Sequence, residues 1–343
     1  MPDPSLLFPE LLAETLYAPE YEQLIKRIGE ARNRPGTHIV ILGLPYAGRE
    51  YLVKKLARHY QDDAAYISFS SPVGDFSASG IPQATAPILI IEGAQYLFTR
   101  TIGGFQQLRA FITFVADTGK TVVSSWNTYA WNYASAVENL DRYCSGTVTI
   151  PPLTMERLRD GILASYNGEI RCINDATVKQ SVLVSPITHA IRIPFTNREV
   201  NLPGLSIDWN LLFSAIMRRK QEDSPERIIF SRLEKLSQGN MGIALHLWNE
   251  SLDYPEIRVS RIHEIPELPD LTIDERFLLV SLLMVESADI SAIPRITGEP
   301  HSTDWIYLLK AKDIIEEQGG KIRIRPGMLH QTAGHLKAIR MVV

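Results

Sequence analysis

The sequence has few cysteines and no long hydrophobic run. Its two cysteines, Cys144 and Cys172, are too few for a disulfide framework or a metal cluster, which indicates reduced thiols and no metal site. The longest apolar run, residues 277–285, is too short to span a bilayer. Residues 1–23 carry acids where a signal peptide would have a basic end. We therefore expect a cytoplasmic protein with no membrane partner.

The chain also lacks a large excess of charge of either sign. Its formal net charge of −4 gives no overall attraction to nucleic acid or anionic lipid, so any such contact needs a local basic patch. The composition, with 45% hydrophobic and 22% charged residues over 343 positions, indicates a folded protein of two or three domains.

Apolar, β-branched segments alternate with amphipathic ones in the first half of the chain. An N-terminal helical segment, residues 1–35, precedes this α/β region, which covers residues 36–168. Such alternation implies right-handed β-α-β units and a parallel sheet, with ligands at the carboxyl ends of its strands. Strands are predicted at residues 38–42, 64–69, 86–95 and 120–127, and helices at residues 50–60 and 104–119.

The second half of the chain has a different pattern. Residues 169–254 predict a strand-like hairpin insertion followed by a helical lid, with helices at residues 208–223, 224–240 and 242–252. Residues 255–343 predict a winged-helix domain, because three helical segments are followed by a glycine turn and a short basic strand. The helical segments are residues 273–286, 290–298 and 302–318, the glycine turn is residues 319–320, and the basic strand lies in residues 321–326.

The segment "HIVILGLPYAGREYLVKKLARHY", residues 38–60, has the order of a phosphate-binding loop. Gly43 and Gly48 have the spacing of that loop, but a chain with 21 glycines yields such a pair by chance. The position between a predicted strand and a predicted helix carries the prediction, since loop amides and the helix dipole then converge on a phosphate. The usual lysine and hydroxyl are missing, because Arg49 and Glu50 stand there. Arginine keeps the charge but prefers a forked geometry, and Glu50 places a negative charge beside the phosphates, although it could in principle hold a metal.

A second part of such a site should follow a later strand, where one acid holds a metal and the next positions the attacking water. In "ILIIEGAQ", residues 88–95, Glu92 stands at the first of these positions and Gly93 at the second. Glutamate is one methylene longer than aspartate, which moves the metal contact, and glycine provides no base. The alternative is that Glu92 is merely a polar strand end.

These segments resemble the AAA+ and related signal-transduction (STAND) P-loop ATPases, especially the branch of origin-recognition proteins and transposition regulators with a C-terminal winged helix. The resemblance covers about residues 20–343 and rests on order and spacing more than on exact motifs. It implies a polar sensor at Ser124, Ser125 or Asn127. It also implies a proline-leucine entry into the lid at residues 150–162, and a lid motif at residues 238–248 in which Gly242 replaces the second sensor arginine.

Four hydrolytic parts are thus replaced: the loop lysine, the loop hydroxyl, the catalytic acid and the lid arginine. We expect a parallel-sheet P-loop NTPase core of AAA+ type without ATP hydrolysis, acting as a regulatory or scaffold subunit, and we assign no catalytic residue. We expect weak binding of ATP or ADP at most, and no Mg²⁺. The candidate nucleotide-binding residues are Gly43, Pro45, Ala47, Gly48, Arg49, Glu50, Glu92 and Asn127. One alternative is a slow ATPase that uses Arg49 and Glu92, and another is an unrelated α/β domain.

Partner binding is expected from two features of the sequence. The aromatic residues Tyr129, Trp131 and Tyr133 favour an interface with a second copy, a related active ATPase subunit or another protein, although packing within the chain explains them equally well. Residues 321–343 contain five basic residues and no acid. Within that stretch Lys321, Arg323 and Arg325 are candidate DNA contacts of the wing, and protein contact by the winged helix is the alternative. A second basic cluster, Arg218 to Lys220, predicts either a trans-acting finger or a solvated helix end.

Overall fold

The computed structural model describes residues 16–32, 36–166, 168–175, 184–192, 199–207, 224–300 and 302–341, of which 184–192 and 199–207 are described by their backbone. The predicted helix at residues 208–223, with its basic cluster Arg218 to Lys220, lies outside the described residues, as do the first 15 residues of the N-terminal segment. Among the helices described, none is both long enough and apolar enough to cross a membrane.

A five-stranded parallel sheet forms the centre of the first half of the chain, which makes the fold α/β as expected. Its order is β2-β3-β4-β1-β5. The four predicted strands are confirmed, and a fifth, with the sequence GTVT, was not predicted because it buries a single valine. The strands are β1 (His38–Gly43), β2 (Ala64–Ser68), β3 (Ile88–Glu92), β4 (Thr121–Asn127) and β5 (Gly146–Thr149).

Helices cover this sheet and bury one face each against it. The helix α2, for example, packs Leu52, Val53 and Leu56 into the core while its charged face stays outside, as its 3.6-residue pattern predicts. The helices of this half are α1 (Ala18–Ala31), α2 (Arg49–His59), α3 (Gln106–Asp117), α4 (Thr128–Glu138) and α5 (Met155–Leu163).

Three of the predicted site positions meet at one edge of the sheet. Gly43 at the end of β1 is paired with Asn127 at the end of β4, and Ser68 at the end of β2 is paired with Glu92 at the end of β3. All these strands run in the same direction, so their carboxyl ends share that edge. The sheet therefore places the loop after β1 and the acid of β3 on the same side of the molecule, where ligands of α/β sheets bind.

The buried histidine of β1 shows how tightly this sheet is packed. Nδ1 of His38 faces the carbonyl oxygen of Tyr143 at 3.0 Å, and Nε2 faces the Ser124 hydroxyl at 2.7 Å. A carbonyl only accepts, so Nδ1 carries the proton and Nε2 accepts from Ser124. The Ser124 oxygen in turn accepts from Nε1 of Trp126 at 2.8 Å. This chain of donors fits a neutral imidazole, and burial lowers the pKa of His38 to about 4.

This histidine is expected to make the protein less stable in mild acid. The pKa of His38 is lower in the folded protein than in the unfolded chain, so the unfolded chain binds the proton first and folding stability falls as the pH drops from about 6.5 towards 4. The loss should approach about 3 kcal/mol. Urea unfolding of the wild type and of His38→Asn across this range measures it, and an equal pH slope in both proteins would contradict the assignment.

The middle of the chain contains a small mixed sheet, a hairpin and two helices. The predicted hairpin is confirmed as β7–β8, an antiparallel pair that continues to residue 207. The strands are β6 (Arg171–Ile173), β7 (Val184–Arg192), β8 (Glu199–Ile207), β9 (Leu252–Asp253) and β10 (Glu256–Arg258), and β6, β10 and β9 form the small sheet. The helices are α6 (Pro225–Ser237) and α7 (Met241–Ser251).

The C-terminal unit, residues 273–341, combines helices with a three-stranded antiparallel sheet of order β11-β13-β12. The apolar run at 277–285 lies in its first helix and is buried on all sides. The helices are α8 (Ile273–Val285), α9 (Ile293–Thr297), α10 (Ser302–Ala311) and α11 (Leu329–Ala338). The strands are β11 (Ser287–Asp289), β12 (Ile315–Gln318) and β13 (Lys321–Ile324).

The helix predicted over residues 302–318 is wrong in its second half. The helix α10 ends at Ala311, and the residues after it turn back to form β12. The turn contains Asp313 in the left-handed region, with φ of 59°. Helix geometry cannot continue through such a residue, and Ile314 and Ile315 are then buried by the sheet instead.

Candidate functional site

The loop between β1 and α2 has the backbone shape of an anion site. We call residues 43–50 the phosphate loop. Tyr46 and Gly48 are in the left-handed region, with φ of 65° and 85°. The helix α2 begins at Arg49, so the amides of Arg49 and Glu50 have no intrahelical partner. Amides and the helix dipole at this position favour a negatively charged ligand.

The arginine of this loop is held by a carboxylate of the C-terminal unit. Arg49 is buried, with 6% of its surface exposed. Its Nη1 donates to the carbonyl oxygen of Gly43 at 3.1 Å and to Oε1 of Glu286 at 2.9 Å, and its Nη2 donates to Oε2 of Glu286 at 3.1 Å. Glu286 directly follows α8. The cation expected to contact phosphates is therefore paired with an acid that comes from the far end of the chain.

An open cleft of about 640 Å³ lies over the phosphate loop. It extends from the loop to the ends of β2 and β3, and α7 and the β12–β13 hairpin line its other sides. Its charged lining consists of five carboxylates and four Lys or Arg side chains. They are Glu50, Glu92, Glu286, Glu316 and Glu317, and Arg49, Lys54, Lys321 and Arg323.

The carboxylates near the loop influence one another. Desolvation in the cleft raises the pKa of Glu50, Lys54 acts against this rise, and the charges of Glu92 and Glu286 add to it. Glu92 is hydrogen-bonded to the neighbouring strand β2. Its Oε2 accepts from the Tyr66 hydroxyl and, at 3.3 Å, from the Ser68 hydroxyl. The cleft thus holds one more carboxylate than basic side chains, and Glu50, Glu92 and Glu286 lie near the place where a phosphate-binding loop would attract phosphate.

At two glycines that line the cleft, nearby backbone oxygen atoms leave no space for a Cβ atom. Gly93 has φ of 75°, and a Cβ atom there would lie 2.3 Å from the carbonyl oxygen of Phe69. A Cβ atom on Gly242 would lie 2.5 Å from the carbonyl oxygen of Tyr46. Real Cβ atoms do not approach backbone oxygens this closely, so each position excludes a side chain unless the backbone moves.

The carbonyl groups of the phosphate loop are bonded to other parts of the chain. The hydroxyl of Tyr17 donates to the carbonyl of Ala47 at 2.7 Å, and Nδ2 of Asn240 donates to that of Pro45 at 2.8 Å. The amide of Gly242 donates to the carbonyl of Tyr46 at 3.0 Å. Three consecutive loop carbonyls are therefore fixed from outside, two of them by the start of α7.

The predicted sensor residue Asn127 serves as a helix cap. Its Oδ1 accepts from the amide of Tyr129, the second residue of α4, at 2.9 Å, and its Nδ2 donates to the carbonyl of Leu283 at 2.7 Å. Asn127 is fully buried and does not line the cleft, and neither do Gly43 and Ala47. The cleft does bring together Pro45, Gly48, Arg49, Glu50 and Glu92 from the predicted set.

The three basic residues predicted to contact DNA take part in contacts within the chain. Nζ of Lys321 lies 3.4 Å from the carbonyl oxygen of Ser70. Nε of Arg323 pairs with Glu316 at 2.7 Å, and its guanidinium lies 5.5 Å from the centre of the Tyr46 ring. Arg325 pairs with Glu250, at 3.4 Å, and with Asp313.

The aromatic residues after β4 are packed inside the chain. Tyr129 and Trp131 are 7% and 5% exposed, and Trp131 meets Trp126 edge to face at 5.5 Å between ring centres. Tyr133 stacks on Phe98 at 6.1 Å. The expectation that this segment offers aromatic side chains to a partner is therefore wrong for Tyr129 and Trp131, because their surface is already buried within the chain.

Sequence reasoning missed Glu286, which forms the ion pair with Arg49. The two residues are 237 positions apart, so no local spacing connects them. The only signal is that a single acid ends the apolar run at 277–285. Tyr46 and Tyr96, whose hydroxyls bond to Ile324 and to Ser287 of the C-terminal unit, were missed for the same reason.

Comparison with known proteins gives distant structural similarity. No protein-family model matches the chain, and no curated protein matches it. Among solved structures, the Aeropyrum pernix Orc1 protein in complex with DNA is 13% identical at a TM-score of 0.40, covering 99% of this chain and 98% of that one. A variant of Thermotoga maritima RuvB is 15% identical at a TM-score of 0.42, covering 97% of this chain and 98% of that one. Cdc6p from Pyrobaculum aerophilum is 13% identical at 0.40, covering 98% of each chain.

Proposed function

We propose that this chain is an AAA+-like protein that does not hydrolyse ATP and acts as a regulatory or scaffold subunit. In this proposal residues 36–168 are the nucleotide-binding core, residues 169–254 the insertion and lid, and residues 255–343 a winged-helix domain. The observation that carries it is the backbone packing at Gly93 and Gly242. The resemblance to AAA+ ATPases implies an acid and an arginine at these two positions.

At Gly93 the missing acid cannot be supplied by a small rearrangement of side chains. The residue is in the left-handed region and its Cα faces the carbonyl of Phe69. A side chain there requires the ends of β2 and β3 to separate. No group at this position then orients an attacking water, and the loss of a positioned base costs on the order of a hundredfold or more in rate.

At Gly242 the lid lies directly on the loop. The amide of Gly242 already donates to the carbonyl of Tyr46, so the lid helix is in contact where an arginine would otherwise reach across a nucleotide. A longer side chain would force α7 away from the loop. The lid is thus fitted to a glycine, and a group that senses the γ-phosphate is absent from this position.

The charges around the loop favour weak nucleotide binding at most. A triphosphate would face Glu50, Glu92 and Glu286 and find Arg49 already paired. Without a loop hydroxyl the usual ligand of Mg²⁺ is also missing, so we propose no metal-dependent step. The loop amides at the start of α2 still support binding of ADP or ATP at high ligand concentration.

Assembly with a second copy, a related active subunit or another cytoplasmic protein remains the proposed mode of action. DNA contact through Lys321, Arg323 and Arg325 is a second candidate, and it would have to compete with the contacts that two of these residues make with Glu316, Glu250 and Asp313. We therefore expect DNA binding to be weak and to fall steeply with salt.

ATP turnover by the purified chain is expected to be negligible. Without a positioned base and a free phosphate-binding cation, the rate should be on the order of a thousandfold or more below that of a hydrolysing relative. Phosphate release with ATP and Mg²⁺ is measured for the wild type and for Glu92→Gln, and the two should be indistinguishable. Turnover that disappears in Glu92→Gln would support the slow ATPase instead.

A further inference from the structure

The segment around Glu286 is held against the loop edge of the sheet by several hydrogen bonds. The Tyr96 hydroxyl lies 2.7 Å from the carbonyl oxygen of Ser287 and 3.0 Å from that of Val285, on either side of Glu286, and shares its single proton between them. Asn127 donates to the carbonyl of Leu283 one turn earlier. These contacts fix the backbone on both sides of the acid, so its carboxylate is positioned rather than merely close to Arg49.

The backbone of Glu286 is itself in an uncommon conformation. It has φ of 68° and ψ of −50°, although it is not glycine. Residues other than glycine seldom adopt such a conformation, and it persists where surrounding contacts impose it. Here it turns the chain sharply after α8 and directs the carboxylate at the phosphate loop, where both oxygens meet the guanidinium of Arg49.

A carboxylate and a phosphate use the same face of a guanidinium. The fork of N–H groups on arginine accepts either anion in a bidentate manner, so Glu286 and a phosphate bound at the start of α2 would need the same donors. Arg49 also has a buried Nε without a hydrogen-bond partner among the described residues. The present pair therefore leaves one donor unsatisfied, and a ligand with more oxygen atoms could satisfy it.

We propose that Glu286 is an internal counter-ion that occupies the place of a phosphate and fastens the C-terminal unit to the phosphate loop. A phosphate-bearing ligand and Glu286 bind Arg49 alternatively. Ligand binding therefore weakens the docking of the C-terminal unit, and docking weakens ligand binding by the same factor. This regulation rests on the proposed nucleotide site but not on the absence of hydrolysis.

The β12–β13 hairpin gives this coupling a structural consequence. Its strand β13 is bonded to the loop through the Tyr46 hydroxyl and the carbonyl of Ile324, and Arg323 lies over the same ring. When Glu286 leaves Arg49, the phosphate loop loses the ion pair to this unit and retains the hydrogen bond and the cation–π contact of Tyr46. Release would then uncover the side of the hairpin that now lines the cleft.

The test uses the full chain with ADP and inorganic pyrophosphate as probes. Glu286→Gln removes the charge but keeps the size of the side chain, and Glu317→Gln removes the same charge from another wall of the same cleft. Calorimetry should show at least about tenfold tighter binding for Glu286→Gln and a change below about threefold for Glu317→Gln. The double variant Arg49→Gln/Glu286→Gln should lose the gain. Equal gains in both single variants would show that only the charge of the cleft matters.

A second measurement does not depend on ligand affinity. Hydrogen exchange of amides in residues 283–289 and 321–324 should be faster in Glu286→Gln than in the wild type and in Glu317→Gln, with the α/β core unchanged. Unchanged exchange in these segments would overturn the proposal even if no probe binds. ATP turnover by the wild type would contradict the absence of hydrolysis and leave this coupling standing, so the two failures are distinguishable.

Discussion

Gly93→Ala is expected to destabilise the protein by about 2–4 kcal/mol, although it adds only one methyl group. The left-handed backbone costs about 1–2 kcal/mol for alanine, and the clash with the Phe69 carbonyl adds a comparable amount. Urea unfolding followed by circular dichroism measures the change. The position is important because a base for hydrolysis would have to stand there.

Three other glycines of this chain serve as matched controls. Gly103 has φ of 77° but open space, Gly242 has the close contact without the left-handed backbone, and Gly119 has neither. Alanine should cost about 1 kcal/mol at Gly103, about 2 kcal/mol at Gly242 and less than about 0.5 kcal/mol at Gly119. A cost at Gly93 no larger than at Gly103 would show that the strand edge yields easily, and the argument against a base at this position would fail.

Trp131→Ala is expected to destabilise the fold by about 3–5 kcal/mol and to leave the mass in solution unchanged. The side chain is 5% exposed and packs against Trp126, so its removal opens a cavity in the core. Urea unfolding and light scattering together measure both quantities. Tyr307→Ala, at a site 73% exposed, is the control and should cost less than about 0.5 kcal/mol. An assembly that dissociates in Trp131→Ala while its stability is unchanged would restore the interface interpretation.

The sequence predicts the parts of the fold that local patterns determine. Buried β-branched runs identify β1, β3 and β4, and the order of a buried strand, a glycine loop and an amphipathic helix predicts the loop between β1 and α2 as a candidate phosphate site. The strand β5 is not predicted because a single buried residue is too weak a pattern. The isoleucines and acids of β12 also fit helical spacing, so the sequence predicts a helix there. Both errors concern segments whose state is decided by neighbours distant in sequence.

The candidate site was predicted as a set of positions but not as a set of interactions. Arg49 and Glu92 do lie at the same cleft, as their places after two parallel strands imply. Their partners could not be predicted, since Glu286 approaches from another part of the chain and Tyr66 from the neighbouring strand. The closure of Gly93 and Gly242 by backbone oxygens is likewise a property of packing, whereas the sequence shows only that a side chain is missing.

The hydrogen bonds to the carbonyls of the phosphate loop restrict which substitutions this loop can accept during evolution. Tyr17, Asn240 and Gly242 attach the starts of α1 and α7 to three adjacent residues of the loop, and Tyr46 attaches the C-terminal unit. Substitutions that alter the shape of this loop would therefore loosen three remote segments at once, with or without a nucleotide. Selection for folding alone would then preserve the glycine pattern in descendants of this chain, long after any benefit from holding phosphate had ended.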